Sequence, residues 1–408
     1  MVPDRDLALV GTLFQPIVDI ATGRVVAHEA LSRFADGTGA VAPDVALQQA
    51  YRTGTIEDVD GACIGQAVTA SEVMVGRGAH DLFVNVEPPT LWRDELPFGL
   101  TCGLPLTVEI TERALGRDTG RLLGAIRRLR DLGHAIAVDD LGAEPATLAL
   151  LPLIAPDIIK LDMGLIRQQP DQNVARIMTA VADYTAHTDT YVLAKGIENE
   201  RHEIMAQALG ATLGQGWHYG RPEPATVAAQ AENSVEARRD FRARVARSAS
   251  AARPAARTPF EIVSATLASR RAGRALLVQV SMFLEERARA GGDSAVVLTT
   301  FQHDSNVTPA TAERYQRLTD SGCLVTVFTV GAASRLPAEA HGVVIAPDDP
   351  LAAEWDVIVL TADFAAALTA RELDPSRHDA GQYDFVLTTD RALVTQSARA
   401  LLAHGRRA

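Results

Sequence analysis

Cysteine is scarce in this sequence, with three residues, Cys63, Cys102 and Cys323, among 408 and no CxxC or Cys/His spacing. With so few and such scattered cysteines, neither a disulfide framework nor a thiolate zinc site is suggested. Long apolar runs are also missing, because no stretch reaches the roughly 18 uninterrupted apolar residues of a membrane span. The N-terminal sequence MVPDRDLALVGTLF lacks a basic region followed by an apolar one. These absences predict a cytoplasmic protein with no membrane partner.

The sequence has fewer basic than acidic residues, with 39 Lys and Arg against 51 Asp and Glu, and its formal net charge is −12. A protein that coats nucleic acid needs a broad basic surface, so bulk nucleic acid is excluded as an expected partner. A small anionic ligand remains compatible with this charge, because divalent cations held between carboxylates can attract a phosphate.

The length and the 47% hydrophobic content favour two domains over one. Short apolar runs alternate with amphipathic stretches over residues 8–227, which predicts repeated strand and helix units. Residues 228–257 are rich in Ala and Arg and predict a linker, with a solvated connecting helix favoured over a nucleic-acid arm because acidic residues interrupt the arginines. Residues 258–408 predict a smaller α/β domain without a catalytic arrangement.

Polar residues close the apolar runs of the first region at intervals of 24, 30, 21, 35 and 20 residues: Asn85, Glu109, Asp139, Lys160, Lys195 and Gln215. These intervals match one strand-helix unit each. In a (β/α)8 barrel the C-terminal ends of the strands converge on one mouth, so the spacing predicts that these side chains line one pocket. For any one of them, an ordinary polar residue near a loop is the alternative.

A carboxylate and a guanidinium, Glu29 and Arg33, lie four residues apart in HEALSRF, shortly after FQPIVDI. They could serve a metal ion and a phosphate, respectively. An ordinary i,i+4 ion pair on a helix is the alternative.

The motifs FQPIVDI, HEALSRF, FVNVEPPTL, VEITE, VDDLG, PDIIKLD, AKGIE and GQGWHYGRP occur in an order that resembles the EAL domain family of cyclic di-GMP phosphodiesterases. The resemblance covers roughly residues 8–225. It implies a modified TIM-type (β/α)8 barrel that holds Mg²⁺ or Mn²⁺, hydrolyses cyclic di-GMP to linear pGpG and forms a homodimer.

The resemblance also implies a role for each matching residue. The implied metal ligands are Glu29, Asn85, Glu109, Asp139 and Asp140. Lys160 would position the attacking water, and Asp140 would bind the second metal ion. Glu112 would brace the loop that follows Asp140. The implied ligand-binding residues are Gln15, Leu31, Arg33, Asp162 and Gln215.

One position departs from the family pattern: the glutamate that binds the second metal ion falls at Lys195. At about 4 Å and an effective dielectric near 20, an opposite-charge pair is worth about 4 kcal/mol, so Lys195 is expected to lie among the carboxylates. An ammonium neutralises them but offers no coordination position for a water. The alternatives are that Lys195 turns to solvent, or that Glu198 or Glu200 compensates for the lost carboxylate.

Three functional hypotheses follow from these observations. The chain is a phosphodiesterase under control of its C-terminal domain, a receptor that binds cyclic di-GMP without cleaving it, or a transcriptional or structural adaptor without nucleotide affinity. Because the other metal ligands of the family are retained, the sequence favours binding of cyclic di-GMP with impaired hydrolysis. Residues 258–408 resemble DICT sensory domains, which implies a regulatory signal or a protein partner of unknown identity.

Overall fold

The structure is a computed structural model that describes residues 7–75, 81–111, 119–141, 146–167, 169–229, 240–246, 257–303, 306–331, 336–361, 364–373 and 381–404. By internal contacts the chain divides into two units. The first comprises Met1–Arg117, Gly124–Ala143 and Ala155–Ala252, and the second comprises Asp118–Leu123, Glu144–Ile154 and Arg253–Ala408. Within the described ranges, no helix has both the length and the apolar character needed to cross a membrane.

The described residues of the first unit form nine strands: β1 (Ala8–Asp19), β2 (Arg24–Asp36), β3 (Gly39–Val41), β4 (Asp81–Asn85), β5 (Thr107–Thr111), β6 (Ala135–Leu141), β7 (Ile158–Leu161), β8 (Tyr191–Ala194) and β9 (Leu213–Gly214). Their order is β1-β9-β8-β7-β6-β5-β4-β2-β3, and pairing of β1 with β2 closes eight of them into a barrel. Strand β1 runs antiparallel to both neighbours, whereas β2 and β4 to β9 pair in parallel. The predicted modified TIM-type barrel is therefore confirmed.

Strands β5 to β8 are buried along nearly their whole length, because the strands of a parallel barrel are covered on both faces. The helices of this region are α1 (Pro43–Thr53), α2 (Ile56–Val75), α3 (Pro88–Leu91), α4 (Phe98–Thr101), α5 (Thr119–Asp131), α6 (Ala146–Ile154), α7 (Met163–Arg167), α8 (Gln172–Ala186), α9 (Glu200–Ala208) and α10 (Ala225–Ala228). In α5 the spacing of Leu122, Ile126 and Leu129 places all three on its buried face. Gly133, with φ of +88°, adopts the left-handed conformation that follows many helix ends.

Residues 240–246 of the expected connecting helix are helical and most of them are exposed, but Phe241 is buried. Phe241 is 2% exposed and stacks on Tyr191 with a centroid distance of 5.1 Å. Arg242 Nε is 2.8 Å from Asp81 Oδ1, and Arg244 Nη2 donates to the Thr190 carbonyl at 2.9 Å. These contacts hold the segment against the starts of β4 and β8, and Phe241 belongs to the barrel core. Residues 230–239 and 247–256 of the predicted linker lie outside the described residues.

The second unit contains a seven-stranded sheet of order β10-β16-β15-β14-β11-β12-β13. Its strands are β10 (Arg270–Gly273), β11 (Val296–Phe301), β12 (Leu324–Val330), β13 (His341–Ile345), β14 (Glu354–Leu360), β15 (Ala365–Glu372) and β16 (Gln382–Thr388). Its principal helices are α11 (Pro259–Ser264), α12 (Arg274–Gly291), α13 (Pro309–Asp320) and α14 (Arg391–His404). Leu277, Tyr315, Val297 and Leu368 belong to a shared core between helices and sheet.

Candidate functional site

The C-terminal ends of the barrel strands carry the predicted polar residues. Asn85 is the last residue of β4, Lys160 lies near the end of β7, and Lys195 directly follows β8. The structure links nine of the predicted residues in one network of hydrogen bonds and ion pairs: Gln15, Glu29, Asn85, Glu109, Asp139, Asp140, Lys160, Lys195 and Gln215.

Lys160 is the buried centre of this cluster, with none of its surface exposed. Its Nζ lies 3.3 Å from Glu29 Oε2 and 3.7 Å from Asp139 Oδ1, and it also bonds to Glu109. Burial alone would lower the pKa of Lys160, but the three carboxylates raise that pKa above its ordinary value. The ammonium is therefore held charged in the core, where an unpaired charge would be strongly unfavourable.

Side-chain amides fix Glu29. Asn85 Nδ2 donates to Glu29 Oε1 at 3.2 Å, and Gln215 Nε2 donates to Glu29 Oε2 at 2.6 Å. Gln215 Nε2 is also 3.3 Å from Gln15 Oε1. Burial alone would raise the pKa of Glu29, but Lys160 and the Gln215 hydrogen bond hold it below its usual range. This carboxylate stays ionised in a fixed orientation.

Adjacent carboxylates, Asp139 and Asp140, reach the same ammonium because the backbone turns between them. Asp140 has φ of +58°, a left-handed conformation that is uncommon for residues other than glycine. Its N–H donates to Asp139 Oδ1 at 2.9 Å, and the register of β6 with β7 shifts between Val138 and Leu141. The two side chains therefore do not alternate across the strand as neighbours normally do.

Lys195 points into the acidic cluster. Its Nζ is 2.7 Å from Asp139 Oδ1 and also bonds to Asp140, while 22% of its side chain is exposed. The alternative in which Lys195 turns to solvent is therefore wrong. Glu198 does not compensate, because its Oε1 accepts from Arg167 Nη2 at 2.7 Å, and Glu200 is an exposed residue of the first turn of α9.

The oxygen donors around Lys160 have the chemistry that a hard divalent cation requires, although in this arrangement the Lys160 ammonium lies among them. Glu29, Asn85, Glu109 and Asp139 supply the carboxylate and amide oxygens that Mg²⁺ and Mn²⁺ prefer. Within the described part of the chain, Glu109 Oε2 is buried without a hydrogen-bond partner, and burial, followed by the charge of Glu29, raises the pKa of this carboxyl well above its usual range. A bound cation would contact Glu109 Oε2 and displace the proton of the Glu109 carboxyl group.

A second cation does not fit, because the Lys195 ammonium lies between the carboxylates of Asp139 and Asp140. Four carboxylates face two ammonium groups in the cluster, which formally leaves two negative charges for one divalent ion to balance. As arranged, no group of three or more His, Cys, Asp or Glu side chains among the described residues is spaced as a ready metal site. Both lysines of the whole sequence lie in this cluster.

Other predicted residues lie outside this network. Arg33 Nη1 donates to the Leu31 carbonyl at 3.2 Å and to the Ser32 carbonyl at 3.0 Å. Because Glu29 and Arg33 are on strand β2, the helical i,i+4 pair is excluded. Asp162 Oδ1 accepts from Gly164 N at 2.7 Å at the start of α7. Glu112 lies outside the described residues.

Sequence reasoning missed the close backbone contact that positions Gln215. A Cβ at Gly216 would lie 2.0 Å from the Ile197 carbonyl oxygen, so no side chain fits there. Ile197 N donates to the Gln215 carbonyl at 3.0 Å across the same contact. The glycines of GQGWHYGRP were the available signal, since an approach this close requires glycine.

Residues 9–222, just over half of the chain, match the sequence model described as EAL domain. The chain belongs to the EAL domain family. Residues 263–373 match the DICT domain, described as a sensory domain in diguanylate cyclases and two-component systems. Both resemblances are therefore confirmed.

The EAL domain is similar to proteins that are named as cyclic di-GMP phosphodiesterases. It is 27% identical over 221 residues to the probable cyclic di-GMP phosphodiesterase PdeB of Escherichia coli, covering 52% of this chain and 42% of that protein. It is 29% identical over 226 residues to the cyclic di-GMP phosphodiesterase NbdA of Pseudomonas aeruginosa, covering 52% of this chain and 28% of that protein. The chain thus spans less than half the length of both relatives.

Among solved structures, the EAL enzyme Bd1971 in its cAMP and cyclic-di-GMP bound form is similar to this chain with a TM-score of 0.50 and 20% identity. The match covers 55% of this chain and 64% of that one. At this identity the likeness supports the fold of the EAL domain.

Proposed function

We propose that the EAL domain binds cyclic di-GMP together with one divalent cation, Mg²⁺ or Mn²⁺, and that Lys195 impairs its hydrolysis to linear pGpG. The observation that carries this proposal is the position of Lys195 Nζ, 2.7 Å from Asp139 and bonded also to Asp140. The names of the relatives as cyclic di-GMP phosphodiesterases support the choice of nucleotide.

Retained binding follows from the donors that remain. Glu29, Glu109 and Asp139 would hold the cation with Asn85, and the bound cation would attract a phosphate of the nucleotide. Gln15, Gln215, Leu31, Arg33 and Asp162 are proposed to contact the nucleotide. Of these, Gln15 and Gln215 are already joined to the cluster by hydrogen bonds.

Impaired turnover follows from the chemistry of an ammonium group. A pair of divalent ions, when bound, would acidify a water and stabilise charge on the phosphodiester. Lys195 supplies positive charge to Asp139 and Asp140 but offers no position at which a water could be coordinated. Lys160 holds its protons tightly and is proposed to orient the water, since its raised pKa makes it a poor proton acceptor.

The test compares the natural protein with Lys195→Glu and Lys195→Met. The first variant returns a carboxylate, and the second removes the ammonium without adding a ligand. Calorimetry with cyclic di-GMP and Mn²⁺ should show binding to the natural protein. Chromatography of pGpG should show turnover rising on the order of 100-fold in Lys195→Glu, the scale of one lost transition-state contact, and far less in Lys195→Met.

Rapid turnover by the natural protein, equal to that of Lys195→Glu, would sink the proposal that Lys195 impairs hydrolysis. Absence of nucleotide binding by all three proteins would favour the adaptor hypothesis. The homodimer implied by the family resemblance stays a prediction, which light scattering of the purified protein would measure.

A further inference from the structure

A cavity of about 200 Å³ lies in the second unit, between the sheet and helices α12 and α13. Its floor comes from strands β11 and β14, antiparallel neighbours in the sheet. The side chains that matter for its chemistry are Arg274, Ser281, Glu285, Arg314, Tyr315 and Trp355. We propose that this cavity binds a small organic carboxylate.

Buried hydroxyl groups line the cavity. Ser281 is 4% exposed, and its Oγ has no hydrogen-bond partner among the described residues. Tyr315 is fully buried, with its hydroxyl beside Glu285 and Thr299. A buried hydroxyl without a partner is unfavourable. A ligand oxygen that accepts from Ser281 would remove this cost.

The Tyr315 hydroxyl stays protonated beside Glu285. Burial, together with the nearby charge of Glu285, raises the pKa of Tyr315 well above its ordinary value, so the proton stays on the oxygen. The ring of Tyr315 is in edge contact with Phe301 at a centroid distance of 5.8 Å. The Tyr315 side chain therefore has a defined position in the wall.

The charge of the lining favours a monoanion. Arg314 Nε donates to Glu285 Oε2 at 2.8 Å. The two opposite charges therefore balance each other, and the carboxylate orients the Arg314 guanidinium. Arg274 adds a second guanidinium at an exposed position, with its central carbon 5.7 Å from the Trp355 ring. Among the described lining residues this leaves one positive charge, and guanidinium groups bind carboxylates through paired N–H donors.

Size and wall chemistry narrow the ligand further. The volume of about 200 Å³ is below the roughly 300–1,000 Å³ of sites for drug-sized molecules, which excludes a dinucleotide. The Trp355 and Phe301 rings give the cavity apolar wall area that an inorganic anion would not use. The inference is independent of the nucleotide site in the EAL domain.

The experiment titrates the full chain with sodium lactate, pyruvate, benzoate and 4-hydroxybenzoate, using lactamide and benzamide as uncharged analogues. Calorimetry should show saturable binding of at least one acid, with the matching amide at least tenfold weaker. In a Trp92→Phe, Trp217→Phe background, Trp355 is the remaining tryptophan of the sequence. The fluorescence emission of Trp355 should change as the acid is added, and the change should give the same dissociation constant as calorimetry.

Variants on the same helices assign the site. Ser281→Ala removes one hydroxyl without adding volume, and Arg314→Gln removes the oriented guanidinium; each should weaken the acid at least fivefold. Arg317→Gln is the matched control, because Arg317 lies on α13 in an exposed pair with Glu313. The proposal is overturned if no acid binds, if amides bind as tightly, or if Arg317→Gln weakens binding as much as Arg314→Gln.

Discussion

The two lysines of the site differ in what encloses them. Lys160 has no exposed surface and faces three carboxylates, so removing its ammonium would leave uncompensated charge in the core. Lys195 is at the rim beside Asp140, whose side chain is 48% exposed. Water can solvate Asp140 when Lys195 is replaced, and the buried Asp139 keeps Lys160 Nζ at 3.7 Å. Substitution at 195 is therefore expected to change chemistry while leaving the fold intact, which makes it the informative position for mutagenesis.

Asp60, on helix α2, predicts a pH-dependent stability. It is 4% exposed and accepts a hydrogen bond from Glu87 N at 3.0 Å, and burial raises its pKa to about 7. The unfolded chain has an Asp pKa near ~3.9. The folded state thus binds the proton more tightly, and the stabilisation present below about pH 4 is lost as pH rises through about 7.

When the pH is raised from 5 to 8, deprotonation of Asp60 should lower the free energy of unfolding by about 2 kcal/mol. Urea denaturation of the natural protein and of Asp60→Asn at both pH values measures the difference. The variant lacks the titrating group, so its stability should change less. Identical pH dependence in the two proteins would show that Asp60 is not the responsible group.

The turn after β9 depends on Gly216. Gly216→Ala would place a methyl group 2.0 Å from the Ile197 carbonyl oxygen, so the backbone that presents Gln215 must move. We expect a loss of at least about 2 kcal/mol in stability and weaker nucleotide binding. Thermal unfolding and calorimetry measure the two effects.

Gly65→Ala is the matched control for this substitution. Gly65 lies within α2, and a Cβ there has no atom within 4 Å. Alanine should stabilise the helix by roughly 0.5–1 kcal/mol. Equal destabilisation by both substitutions would argue against the special role of the β9 turn.

Most strands could be predicted from the sequence because buried parallel strands have continuous apolar runs, as in AIAVDD and IIKLD. Strand β15 was missed, because AAALTARE has the alanines and charged residues of a helix. It is a strand because it pairs with β14 on one side and β16 on the other, and its small alanine side chains are buried. Tertiary pairing overrides local propensity there.

Much of the candidate site was also predictable, since strand-end spacing alone places Asn85, Glu109 and Asp139 together. The partners of Lys195 were predicted from charge, but the left-handed turn at Asp140 that aims both carboxylates was not. Neither was the role of Phe241, because one aromatic residue in an Arg-rich segment gives no pattern. These contacts depend on the closed barrel, which local sequence does not encode.

Across the whole molecule, nucleotide occupancy can be located by amide hydrogen exchange. A ligand at 100 times its dissociation constant stabilises the folded state by about 2.7 kcal/mol. We expect cyclic di-GMP with Mn²⁺ to slow exchange in peptides from β6, β7 and β8 of the natural protein. Asp139→Asn, which removes a proposed cation ligand, should show much less protection at the same concentrations.

Peptides from β11 and β14 in the second unit give the comparison within the same experiment. Their exchange rates report whether nucleotide binding is transmitted beyond the EAL domain, because amide exchange measures the stability of each segment separately. Unchanged exchange throughout β6 to β8 at saturating nucleotide would contradict the proposed site.

The restriction of lysine to the barrel mouth gives this protein an unusual chemical handle. Only Lys160 and Lys195 carry side-chain amines, and Lys160 is fully buried. Reductive methylation with isotope-labelled formaldehyde should therefore tag Lys195 and the terminal amine in the native protein. A methyl resonance from position 195 would then follow the electrostatic state of the pocket directly, without an engineered cysteine or a fused reporter.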